Sequence, residues 1–80
     1  MLAVAIVSPR EVIFEGDASS VVLPGEAGVF EVLPFHQPLL SRLLPGTIFV
    51  DDEPIPILRG VVKVARDSVI AIVDPAGDAS

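Results

Sequence analysis

The run Leu23-Pro24-Gly25-Glu26-Ala27-Gly28-Val29-Phe30-Glu31-Val32-Leu33-Pro34-Phe35-His36-Gln37-Pro38-Leu39-Leu40, closing at Pro45-Gly46, decides how the rest of the chain is read. Its apolar letters come in short bursts, each closed by Pro or Gly, which is the rhythm of strands and turns. Val29–Leu33 and Leu39–Leu44 are predicted strands. Pro34 and Pro38 hold the backbone between them extended. Leu39, Leu40, Leu43 and Leu44 also fit helical spacing, so Pro38 could open a short helix instead. Pro45 leaves that helix little more than a turn, and the strand reading is kept. Pro45-Gly46 suits the centre of a type II turn, where Pro presets φ and Gly accepts a positive value.

The same rhythm extends outward. Further strands are predicted at Leu2–Val7, Glu11–Glu15, Ala18–Leu23, Thr47–Val50, Ile55–Leu58, Val61–Ala65 and Ser68–Val73, with Asp51-Asp52-Glu53 and Arg66-Asp67 as tight turns. The expected fold is all-β, an antiparallel β-sandwich of nine or ten short strands in two packed sheets. Residues 1–74 would form the sandwich, and residues 75–80 a short, flexible acidic tail.

Composition bounds the class. The chain has 80 residues, no cysteine, tryptophan or tyrosine, and a hydrophobic fraction of 51%. A single small core must therefore be built from aliphatic side chains and four Phe, with no disulfide or cysteine-based zinc site to staple it. Eleven acidic against five scattered basic residues give a net charge of −6. Nucleic acid needs clustered Lys and Arg to displace counterions, and an anionic lipid surface makes a similar demand, so neither is an expected partner. No segment approaches the ~20 apolar residues of a membrane-spanning helix. Direct membrane insertion is not expected.

Residues able to do chemistry are few. His36 is the lone histidine. Ser41, His36 and an aspartate make a formal triad, but no Gly-x-Ser-x-Gly elbow holds the serine. His36 with Glu26 and Glu31 is a poor zinc set, because a second His or a Cys is missing. Gly25-Glu26-Ala27-Gly28 lacks the Lys-Ser/Thr that a phosphate loop requires. No catalytic, metal or cofactor site is expected, and the chain is not expected to be an enzyme by itself.

In order and spacing, Leu23-Pro24-Gly25, Gly28, Leu33-Pro34, His36, Pro38-Leu39-Leu40 and Pro45-Gly46 resemble the signature of the F-type ATP synthase epsilon subunit (delta in mitochondria), in its N-terminal β-sandwich. Val7-Ser8-Pro9 with Val12–Gly16 resembles the family's opening strand pair, and Gly60–Val64 with Val69–Asp74 its last hairpin. The resemblance implies a non-catalytic central-stalk subunit, coupling ion-driven c-ring rotation to the gamma shaft and so to ATP synthesis. It implies gamma and the c-ring as partners, with no cofactor. It also implies a peripheral complex on the cytoplasmic face of an energy-transducing membrane, in a bacterium.

Carried over position by position, the resemblance puts Glu26, Ala27, Gly28, Val29 and Phe30 in the c-ring-facing loop and Ser8, His36 and Ser41 on the gamma-facing side. Each assignment has a plainer counterpart: His36 as a packed corner residue, and the loop as only a turn. A free-standing module binding an apolar ligand or an unrelated protein is the alternative function. Glu31 and Phe35 replace glycines usual in the family, positions where positive φ would be costly. Arg59 and Lys63 depart from its usual letters. Members continue into a two-helix C-terminal domain, whereas this sequence ends at Ser80. Helix-dependent inhibition and nucleotide binding are therefore not assigned to these residues.

Overall fold

The structure, a computed structural model, describes residues 1–76. Eight strands form: β1 (Leu2–Val7), β2 (Val12–Ala18), β3 (Val21–Gly25), β4 (Gly28–Val32), β5 (Leu39–Leu43), β6 (Gly46–Val50), β7 (Glu53–Val64) and β8 (Ser68–Pro75). They hydrogen-bond in the order β2-β1-β8-β7-β5-β3-β4, with β6 joining β3 to β7. Every pairing is antiparallel except that of β1 with β8. The leucine run is strand rather than helix.

A long bent hairpin explains why there are eight strands and not nine or ten. β5 and β6 pair with β7 in one unbroken register, Leu39↔Val64 through Leu43↔Gly60, then Gly46↔Ile57 through Val50↔Glu53. The segments expected at Ile55–Leu58 and Val61–Ala65 are thus one strand. Pro45-Gly46 does not reverse the chain, and Gly46 is not among the positive-φ residues, so the type II turn does not form there. Pro45 has no N–H to pair, and the Leu44 N–H turns to the Pro24 carbonyl at 2.8 Å. The proline makes a bend.

Opposite the bend, β7 carries a bulge against β8 between Ile57 and Arg59. Ile55 and Ile57 are buried, Leu58 and Arg59 are both exposed, and Val62 and Val64 are buried again. The inward parity changes by one residue, as one extra residue in a strand requires. Both halves of β7 therefore face the core. One half works with β6, β3 and β4, the other with β5, β8, β1 and β2.

The two layers close on an aliphatic core of Leu2, Val4, Ile6, Ala18, Val21, Leu23, Val32, Leu43, Ile48, Val50, Ile55, Ile57, Val62, Val64, Val69, Ala71 and Val73. No polar or charged residue is buried among those described. Ile13, Phe14, Phe30 and Leu39 pack against the core from its margins. The Asp51 carboxylate accepts the backbone N–H groups of Ser19 (3.0 Å) and Ser20 (3.2 Å), tying the β6–β7 turn to the β2–β3 turn. β8 runs on to Pro75, and the Ala76 N–H reaches the Pro56 carbonyl at 3.0 Å. The start of the expected tail is therefore paired, and residues 77–80 lie outside those described.

Candidate interaction surface

Strands covered by a second layer on one side can still be apolar on the other. Two outward rows cross β1, β8, β7 and β5: Ala5–Ile70–Lys63–Leu40, and Val7–Ile72–Val61–Arg42. Val61, Ile70 and Ile72 are about half exposed, and Leu40 is 77% exposed. Above them a groove floored by Val61 and Ile72 runs from Pro9 to Leu44 and Glu26. Arg59 pairs with its cross-strand neighbour Asp74 at 2.8 Å on the groove's rim. Contiguous apolar area of this kind, with an Arg at its margin, is what a protein partner covers.

Ser8 and His36 sit at opposite ends of this face. Ser8 follows Val7, the residue that pairs with Ile72, and its Oγ accepts the N–H groups of Arg10 (3.3 Å) and Glu11 (3.2 Å). That hydroxyl organises the β1–β2 turn. His36 lies in the β4–β5 loop, which is tied to the β7–β8 turn by a hydrogen bond from the Phe35 N–H to the Arg66 carbonyl (2.8 Å). The imidazole Nδ1–H donates to the Gln37 carbonyl at 2.7 Å, so Nε2 is the nitrogen left for an outside partner. The ring is half-buried.

Ser41 differs from its expected companions. It shares the parity of Leu39 and Leu43, which pack on and in the core, and its Oγ–H donates to the Arg42 carbonyl at 2.9 Å. Its neighbours Leu40 and Arg42 are the ones that project from the outer face. The structure thus brings Ser8 and His36 onto one face only at its two ends, and leaves the Ser41 side chain off it.

The other expected surface is the β3–β4 hairpin. Gly25 and Gly28 pair across a two-residue tip, Glu26-Ala27, and Gly28 takes the positive φ of 126° that lets the strand resume. Glu26, Ala27 and Gly28 are exposed, and so is Val29 at 73%. Phe30 turns the other way: its ring packs toward the core over Gly25, where an added Cβ would meet it at 2.7 Å. Val29 is therefore the apolar contact that the tip offers.

Among the described residues no group of His, Cys, Asp and Glu is arranged to hold a metal ion. What the arrangement offers is surface, in two separate places. That β7 and β8 carry apolar side chains on both faces was readable in principle, because Gly60–Val64 and Val69–Val73 are apolar at nearly every position, the pattern of strands covered on both sides; which residues look outward was not.

Comparisons with known proteins show the family and the fold. The family model described as ATP synthase, Delta/Epsilon chain, beta-sandwich domain matches residues 1–79. The ATP synthase epsilon chain of Bordetella parapertussis is 44% identical over 80 residues, covering 94% of this chain and 57% of that protein. The epsilon chain of Nitratiruptor sp. is also 44% identical over 80 residues, covering 94% of this chain and 62% of that one. The chain spans little more than half the length of these curated relatives. Among solved structures, a chain in the Euglena gracilis mitochondrial ATP synthase (OSCP/F1/c-ring) superposes with a TM-score of 0.81 at 17% identity, covering 99% of this chain and 56% of that one. A chain in the central stalk/c-ring structure of Tetrahymena thermophila mitochondrial ATP synthase gives 0.74 at 14% identity, with 99% and 73% covered. At those identities the likeness is one of fold.

Proposed function

The chain belongs to the ATP synthase delta/epsilon β-sandwich family, and from that membership we propose that it is a non-catalytic rotor subunit linking a c-ring to a gamma shaft. The observation that carries this reading is the exposed apolar face of Leu40, Val61, Ile70 and Ile72, set beside a separate exposed tip at Glu26–Val29. A coupling element needs two binding surfaces on one stiff body. It needs no reactive group.

In this reading the shaft lies along the β8–β7–β5 face, meeting Ser8 at one end and His36 at the other. The Glu26-Ala27-Gly28-Val29 tip meets the polar loops of the ring, with Phe30 supporting the tip from inside. The complex is peripheral, and the bacterial relatives favour the cytoplasmic face of an energy-transducing membrane. The test is reconstitution. ATP synthase stripped of its epsilon subunit should regain ATP-driven ion pumping when this chain is added. Binding of the chain without recovery of pumping would remove the coupling role.

A further inference from the structure

The β4–β5 loop holds a bulky residue in a costly conformation. Phe35 has φ of 68°, a left-handed conformation in which a bulky side chain is an outlier and glycine is at ease. Its ring is 71% exposed. Inside the chain the ring is braced by the Arg66 guanidinium, 5.7 Å from its centroid, and at so exposed a site a cation–π contact is weak. The backbone is nevertheless pinned on both sides, by Phe35 N–H to Arg66 carbonyl (2.8 Å) and His36 N–H to Leu33 carbonyl (3.1 Å). The domain thus presents an aromatic ring to solvent from a held backbone conformation that glycine would adopt at lower cost.

Area points the same way. Four strands ~4.8 Å apart and about five residues long offer a flat footprint of ~300 Å². Even doubled for side-chain relief, that falls short of the ~800 Å² per partner of a stable interface. A partner on the outer face must also engage its ends. At the His36 end the added surface is Phe35, half-exposed Leu33 and Arg66, with Lys63 in the adjoining row. Asp67 is the acid nearest in sequence, and three basic or imidazole groups gather here on a chain of net charge −6.

We propose that Phe35, braced by Arg66, is a preorganised specificity anchor that enters an apolar recess on the gamma subunit, with a carboxylate on the rim facing Arg66. Aromatic and Arg side chains are the usual dominant residues of interfaces, and a ring already held in place loses little entropy on docking. This inference rests on the shaft-binding reading above.

The test is a calorimetric titration against gamma from the same source, with thermal melts run in parallel. Phe35→Gly and Phe35→Asn accept the left-handed backbone, so both should fold and melt at or above the wild-type temperature. Both should bind gamma at least about tenfold more weakly. Phe35→Tyr should stay within about threefold of wild type, since it keeps the ring. Gly and Asn variants that bind like wild type, or a Tyr variant as weak as Gly, would overturn the anchor. Wild-type chain that does not bind gamma would overturn the shaft reading beneath it, a separate and distinguishable failure.

Discussion

Gly60 has no room for a methyl group. A Cβ there would lie 2.5 Å from the Ile72 carbonyl oxygen and 2.8 Å from Val73 Cγ1, both in the neighbouring strand. Gly60→Ala should therefore cost ~1–3 kcal/mol, as overpacking does, and lower the melting temperature by about 4–8 °C for each kcal/mol. A melt unchanged within a degree would contradict the close approach. Asp51 makes a second test, because it combines a left-handed φ of 52° with two accepted N–H bonds. Asp51→Asn keeps an acceptor and tolerates the conformation; Asp51→Ala loses both advantages and should melt lower, by ~1–2 kcal/mol of stability. Equal melts for the two variants would remove the staple from the account. At this scale the sequence was partly legible. Phe35 does take a positive φ, as its standing in place of a glycine usual in the family suggested, and the backbone between Pro34 and Pro38 is not extended throughout. Glu31, the other such position, sits in regular pairing opposite Val22.

The bulge in β7 turns one run of letters into two correct inward faces. Val62 is fully buried and Val61 half exposed, one residue apart on the same strand. Val62→Asp places a carboxylate among aliphatic side chains with no partner, so the variant should not give a folded NMR spectrum. Val61→Asp should give a dispersed spectrum close to wild type. If Val61→Asp unfolds instead, the parity assigned to β7 is wrong. The elements hardest to read were those where local chemistry has two uses. Pro45-Gly46 marks a break, and local rules cannot say whether the chain reverses or bends there; the constant register against β7 makes it a bend. Likewise Arg59-Gly60 looks like a strand boundary because it is polar and small, yet it continues the strand past a bulge. The turn between β3 and β4 was legible from its Pro and Gly, but its length was not. The strands were expected to stop at Leu23 and resume at Val29, and pairing runs on to Gly25 and Gly28, leaving only Glu26-Ala27 at the tip.

Over the whole molecule, the parallel pairing of β1 with β8 locks the first and last strands together and completes the layer that carries the outer face. That face could not be located from the letters alone. Val61, Ile70 and Ile72 are as apolar as their buried neighbours, and only long-range register decides which parity looks outward. The chain belongs to the ATP synthase delta/epsilon β-sandwich family, and the geometry supplies an apolar face and a hairpin tip as separate surfaces. The most direct test of this account is an amide hydrogen-exchange footprint of the chain with and without gamma. The account predicts slowed exchange along β8, β7 and β5 and at both ends, around Ser8 and around Phe35–His36. Protection confined to β3, β4 and β6, with the outer face unchanged, would contradict it.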